Sequence, residues 1–189
     1  MKITLVRHGE VDEAYHSCYN GHIDISLSKK GHEQAKALAE HFQFEEFDAV
    51  FCSDLKRCKE TLEAFTLQSR PVFTKALREK SWGRHEGMSY DEIVQKEEFN
   101  YENFEQWVSA LDGEAYEEYI QRVKNFFTGF LPANPYENIL IITHAGVVRV
   151  LMHILQGISL EEAFSTKFSY ANYLVLETSK WEFEPVRQI

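Results

Sequence analysis

Two apolar runs, Ile3-Thr4-Leu5-Val6 and Ile139-Leu140-Ile141-Ile142-Thr143, each give way to a histidine (His8, His144) with a glycine close behind it. A short, continuous apolar run bounded by turn residues reads as a strand buried on both faces, the kind that parallel sheets place beneath helices. Glycine lets the backbone turn sharply where such a strand leaves the core. Open α/β sheets bind ligands outside the carboxyl ends of their strands. Histidines far apart in the sequence are therefore expected side by side at one sheet edge.

The rest of the chain fits that frame. Asp48–Ser53 reads as a second strand, and Pro71–Lys75 as a third, with proline at its start where a missing donor is tolerated. Tyr173–Glu177 and Trp181–Glu184 read as closing strands. Helical spacing marks Ser28–Phe42, the stripe Leu55, Cys58, Leu62 and Phe65, and Gly146–Gln156. From about 89 to 131 the chain reads as helical and acidic, with Gly113 a break. There Tyr116, Tyr119, Ile120, Val123, Phe126 and Phe130 read as core. Strands alternating with helices predict a single domain over 1–189, a three-layer α/β/α sandwich around a mainly parallel sheet. The stretch 89–131 would form a helical, cap-like insert.

Bulk properties exclude several functions. Thirty acidic against twenty basic residues give a formal net charge of −10, which argues against nucleic acid and anionic membranes as partners. No apolar run is long enough to span a bilayer, and no secretory signal pattern opens the chain. Cys18, Cys52 and Cys58 form no CxxC pair, so free thiols in a cytoplasmic, reducing compartment are expected. Any site for an anionic substrate must then be a local positive island, which suits a small phosphorylated metabolite.

Four clusters carry the chemistry. Arg7-His8-Gly9-Glu10 offers an imidazole beside a guanidinium fork suited to phosphate oxygens. Thr143-His144-Ala145-Gly146 runs straight into a helix, whose free amides and dipole make an anion site. Ser53-Asp54-Leu55-Lys56-Arg57 puts Arg57 in the first turn after the second strand. Leu77 to Gly87 adds the carboxylates Glu79 and Glu86 after the third strand. Each piece alone reads as an ordinary loop or solvated charge; four on one edge do not.

Together with Gly21-His22-Ile23-Asp24, Gly113-Glu114 and Arg122-Val123, these pieces resemble the histidine phosphatase superfamily, the phosphoglycerate mutase-like fold. The resemblance runs from Lys2 to about Glu177. It implies that His8 is a nucleophile forming a phosphohistidine, with Arg7, Arg57, His144 and the Ala145 amide around the phosphoryl oxygens. It implies that Glu79 is the acid and base, with Glu86 the alternative. Two arginines and a histidine supply the positive charge that phosphoryl transfer needs without a metal or cofactor. The remaining histidines (His16, His22, His32, His41, His85, His153) show no metal-ligand spacing.

The chain departs from the family pattern at three positions. Ala14 stands where many members carry a phosphate-contacting asparagine, a contact that Asn20 or His22 could replace. Ala115 replaces a serine or threonine, and Cys58 follows Arg57 where alanine is common. The expected activity is hydrolysis of a small phosphomonoester, α-ribazole phosphate being one candidate, by a monomer or homodimer. A phosphoglycerate mutase-type phosphotransferase is the alternative, disfavoured because Lys96 is the sole basic residue between Met88 and Gly113. A non-catalytic phosphate-binding module is the other. A cysteine-based phosphatase is rejected, since Cys52 and Arg57 are separated by four residues with no glycine. The aromatic residues Tyr101, Phe104 and Trp107 are read as helix core before a lid that stacks on a base.

Overall fold

The computed structural model describes all 189 residues. The chain begins with β1 (Lys2–Arg7), α1 (Lys29–His41), β2 (Ala49–Ser53), α2 (Lys56–Leu62) and β3 (Val72–Thr74). Then come α3 (Tyr90–Lys96), α4 (Phe104–Ala110) and α5 (Tyr116–Lys124), the last running on into a π-helical turn over Asn125–Phe130. It closes with β4 (Asn138–Thr143), α6 (Ala145–Gln156), α7 (Leu160–Ser165), β5 (Tyr173–Glu177) and β6 (Glu182–Phe183).

The six strands form one sheet in the order β3-β2-β4-β1-β5-β6. The first four pair in parallel, and β5 and β6 add antiparallel edges. Side-chain alternation splits the strands between two cores, because successive residues point to opposite faces. Val6, Leu140 and Ile142 pack with Leu38 of α1 and Leu62 of α2 on one face. Ile3, Leu5, Ile139 and Ile141 pack with Val123 of α5 and Leu151 of α6 on the other. The expected three-layer α/β/α sandwich is the observed architecture.

One local reading needs correction. The 89–131 stretch contains a second break, over 97–103, besides the one at Gly113. Helix α3 stops at Glu97, whose backbone is extended and whose carboxylate is taken by Arg84 (2.8 Å) and His85 (2.9 Å). Asn103 then caps α4 by accepting the Gln106 N–H. Helix α7 carries no sequence expectation; its six residues are too few for a periodic stripe, though Leu160 and Ala163 are buried. Gly113, at φ +95°, is a true turn, and a Cβ there would lie 2.4 Å from the Ser81 carbonyl.

Candidate active site

Strand register builds the site. Arg7 lies opposite Thr143 in the β1–β4 pair, so the residues that follow, His8 and His144, leave the sheet at one level. The His8 N–H donates to the Thr143 carbonyl (3.0 Å), and the two imidazole centroids are 5.2 Å apart. Both rings are buried. Around them lies a cleft of about 340 Å³ lined by Arg7, His8, Arg57, Glu79, His144 and Ala145 among others. That is near the lower end for small-ligand sites.

The His8 ring is set for nucleophilic work. Its Nδ1–H donates to the Gly9 carbonyl (2.8 Å), which leaves the Nε2 lone pair bare. Burial, then the charges of Arg57 and Arg7, hold this histidine well below the usual imidazole range. It is therefore neutral near pH 7, as a nucleophile must be. In His144, Nδ1 accepts from Arg57 Nε (3.3 Å), so Nε2 carries the proton and reaches Ser53 Oγ (2.8 Å). Burial, Arg57 and His8 depress this group too.

Both arginines are anchored on backbone carbonyls. Arg57 Nη1 and Nη2 donate to Ile23 O (3.0 Å) and Gly21 O (2.7 Å). Arg7 donates through Nη1 to Phe168 O and lies with its guanidinium carbon 4.0 Å from the centre of the Tyr170 ring. Its Nε is buried with no partner. Arg7 also lines the cleft, so its guanidinium charge faces the space an oxyanion would take.

Glu79 arrives from the loop after β3 and meets the start of α6. Its Oε2 accepts the Gly146 N–H (3.0 Å), and its Oε1 accepts the Tyr119 hydroxyl (2.8 Å) and the Lys80 N–H (3.1 Å). A Cβ at Gly146 would lie 2.0 Å from Oε1, so only glycine admits the carboxylate here. The Gly146 amide, expected to face phosphate, is thus spent on Glu79. Ala145 and Gly146, at the start of α6, both line the cleft wall together with His144.

Glu86, read from the sequence as the alternative acid–base and a possible substrate contact, and His22, read as a possible phosphate contact, do not line the cleft. Glu86 Oε1 accepts from the His22 N–H (2.8 Å), the Trp82 N–H (3.1 Å) and Ser81 Oγ (3.1 Å), which makes it the latch of its own loop. The His22 ring sits 2.9 Å from the Glu79 carbonyl. Asn20 does line the cleft, and its Oδ1 is buried without a partner while Nδ2 holds Tyr15 O (2.8 Å). Ala14 lies in an exposed turn whose next residue, Tyr15, reaches the cleft instead. Ala115 occupies the N-cap of α5 and provides no side-chain cap. Trp107 is core, its Nε1–H donating to Tyr19 OH (2.8 Å), whereas Phe104 joins the cleft wall.

The sequence reading missed Arg149, Tyr170, Phe164 and Tyr119. Arg149 lies one helical turn beyond Gly146, so the spacing i, i+3 could have found it. It donates to Thr166 O (3.1 Å) and lines the cleft. Tyr170 and Phe164 come from segments with no motif. Tyr119 was read as core, which its full burial supports, but its hydroxyl faces the acid–base candidate.

A parallel sheet edge carrying two buried histidines, two arginines and one carboxylate defines a phosphoryl-handling α/β protein. Family-wide comparison matches residues 3–188 to the histidine phosphatase superfamily (branch 1), and the chain belongs to that superfamily. It is 32% identical over 167 residues to the adenosylcobalamin/α-ribazole phosphatase of Escherichia coli K12, covering 85% of this chain and 82% of that one. It is 28% identical over 184 residues to phosphoserine phosphatase 1 of Hydrogenobacter thermophilus, covering 93% and 86%. The crystal structure of the α-ribazole phosphatase from Shigella flexneri superposes with a TM-score of 0.80 at 28% identity, covering 94% of this chain and 90% of the other.

Proposed function

We propose that the protein is a metal-independent phosphomonoesterase acting on a small phosphorylated metabolite through a phosphohistidine at His8. The observation that carries this reading is the His8 ring, neutral and with Nε2 bare, in a cleft that Arg7 and Arg57 line with it. In the first step Nε2 attacks phosphorus, the bond to the leaving oxygen breaks, and Glu79 gives that oxygen a proton. Arg7, Arg57 and the Ala145 amide hold the phosphoryl oxygens, where charge develops. His144, expected to bind them too, spends both ring nitrogens on Arg57 and Ser53 and so holds Arg57 in place. In the second step water attacks phosphorus, Glu79 takes its proton, and the N–P electron pair returns to Nε2.

Hydrolysis is favoured over transfer because the 89–131 insert adds Phe104 and Val108 to the cleft and no cation. A mutase has to re-bind a more highly charged intermediate. The α-ribazole phosphatase and phosphoserine phosphatase relatives supply the first two substrates to try. Free Cys18, Cys52 and Cys58 fit a reducing, cytoplasmic setting. A homodimer would use the free edge of β3, where Val72 and Phe73 are about half exposed, and sedimentation would read it.

The test is phosphate release in EDTA from p-nitrophenyl phosphate, α-ribazole phosphate, phosphoserine, 3-phosphoglycerate and nucleoside monophosphates. Chelator-resistant release that disappears in His8→Ala is expected. Release that needs a divalent metal, or that survives His8→Ala, would overturn the mechanism.

A further inference from the structure

The carboxylate of Glu79 has two oxygens, each with two in-plane acceptor positions. Oε1 has both filled, by the Tyr119 hydroxyl at 2.8 Å and the Lys80 amide at 3.1 Å. Oε2 has one filled, by the Gly146 amide at 3.0 Å. One acceptor position therefore stays open, on Oε2, and Glu79 lines the cleft. Tyr119 is fully buried, and Glu79 is the sole partner of its hydroxyl.

We propose that Tyr119 is a positioning residue that closes Oε1 of Glu79, so that protons enter and leave the carboxylate at Oε2 alone. This rests on the acid–base role given to Glu79 above. When His8 Nε2 displaces the leaving oxygen, the proton that oxygen receives comes from Oε2. When water attacks the phosphohistidine, its proton goes to the same oxygen. The carboxylate works without turning over, and the next cycle starts with the proton in place.

Toward the Glu79 carboxylate the phenol is the donor. Burial and the neighbouring Glu79 charge push it well above the usual tyrosine range, so it keeps its proton throughout the working pH range. Other charged or titratable groups face Glu79 from every side. They are Arg7 from β1, Arg57 and Cys58 from α2, Lys80 from its own loop, Tyr116 from α5 and Arg149 from α6. Of the side chains around it, Tyr119 is the one that hydrogen-bonds the carboxylate. Removing it leaves the other charges in place and takes away one donor to the anionic form.

The experiment compares the native chain with Tyr119→Phe. kcat/KM is followed against pH for p-nitrophenyl phosphate, whose leaving group departs without a proton, and for glycerol 2-phosphate, whose alkoxide needs one. Loss of one donor to the anion lets Glu79 keep its proton to higher pH. The alkaline limb for the alkyl ester should move up by about one pH unit. The aryl ester should change by less than about threefold. Site-specific 3-fluorotyrosine at position 119, a stronger donor of nearly the same shape, should move the limb down. Glu79→Gln with Tyr119→Phe should be no worse than Glu79→Gln alone. An equal loss for both esters with an unmoved limb, or additive losses in the double variant, would overturn the proposal. The carbon-13 carboxyl signal missing in Glu79→Gln gives a readout free of turnover: its titration midpoint should rise in Tyr119→Phe, and an unmoved midpoint would also overturn it. Failure of the phosphatase reading looks different, as absent release by the native chain or release that survives His8→Ala.

Discussion

Replacing Gly146 with alanine adds one methyl group and should behave as the loss of a catalytic carboxylate. The new Cβ would lie 2.0 Å from Glu79 Oε1 and 2.9 Å from Oε2, and real contacts do not approach so closely. The side chain is flexible, so the carboxylate moves rather than the helix. It then gives up the Gly146 amide and strands the buried Tyr119 hydroxyl. An unsatisfied buried hydroxyl costs about 2 kcal/mol. Alanine in place of glycine in a helix returns about 1 kcal/mol. Stability should therefore fall by only about 1 kcal/mol, while turnover of an alkyl phosphomonoester falls by about 10²- to 10⁴-fold, the usual worth of a general acid–base. Urea unfolding and steady-state phosphate release read the two quantities. With p-nitrophenyl phosphate, rapid mixing should show a burst of nitrophenol followed by slow phosphate release, because forming the phosphohistidine needs no acid and breaking it needs the base. Turnover of the alkyl ester within a few-fold of native would refute the reasoning, since the carboxylate would then have no need to stand where glycine admits it.

Three further outcomes are expected. Arg122 donates to the carbonyls of Lys75 (3.2 Å), Ala76 (2.9 Å) and Arg78 (3.0 Å) and grips both oxygens of Glu114 (2.8 and 2.7 Å). Arg122→Lys cannot reproduce that fork, so urea unfolding should show a loss of about 2 kcal/mol, with turnover falling as the Glu79 loop loosens. His8 and His144 are buried neutral, and below pH 6.5 the unfolded chain binds protons that the folded one refuses. Stability should then fall by about 2 kcal/mol between pH 6.5 and 5.5, and a flat profile in urea melts would count against it. Trp107→Ala should cost about 3–5 kcal/mol as a core deletion and lower activity on all substrates alike; selective loss of base-containing substrates would restore the stacking role.

The legible parts of this chain were those where one strand end carries its own chemistry. His8 and His144 could be placed side by side because apolar runs fix strands, and parallel strands bring their carboxyl ends to one edge. Arg57 followed from the same logic. Glu79 could not be separated from Glu86 in sequence, since both sit in one glycine-rich loop. What separates them is the Gly146 amide on one and the amides of His22 and Trp82 on the other. Gly113-Glu114 and Arg122 were visible as a motif without a purpose. In the fold Glu114 and Arg122 clamp the carbonyls leading to Glu79, a contact across more than forty residues that no local spacing encodes. Tyr119 was hidden for the opposite reason, because a buried tyrosine on an apolar stripe looks like packing until its hydroxyl is located.

The charge balance of the cleft explains how an acidic protein can attract a dianion. The formal charge of −10 belongs to the whole chain, and exposed charges more than about 10 Å away are largely screened by salt. Arg7, Arg57 and Arg149 are mostly buried, and burial is the first cause lowering each of them, Arg7 to about 10. They stay charged near neutral pH, and backbone carbonyls at Phe168, Gly21, Ile23 and Thr166 offset part of their lost hydration. Glu79 is the one carboxylate lining the cleft with them. The site is thus held in electrostatic deficit by neutral dipoles, which cannot compete with a phosphate as partners. The same carbonyl anchors fix the guanidinium groups before the substrate arrives, so that little reorganisation remains when charge develops on the transferring group. Anchoring cations on backbone rather than on acidic side chains is what keeps them available to the phosphoryl oxygens.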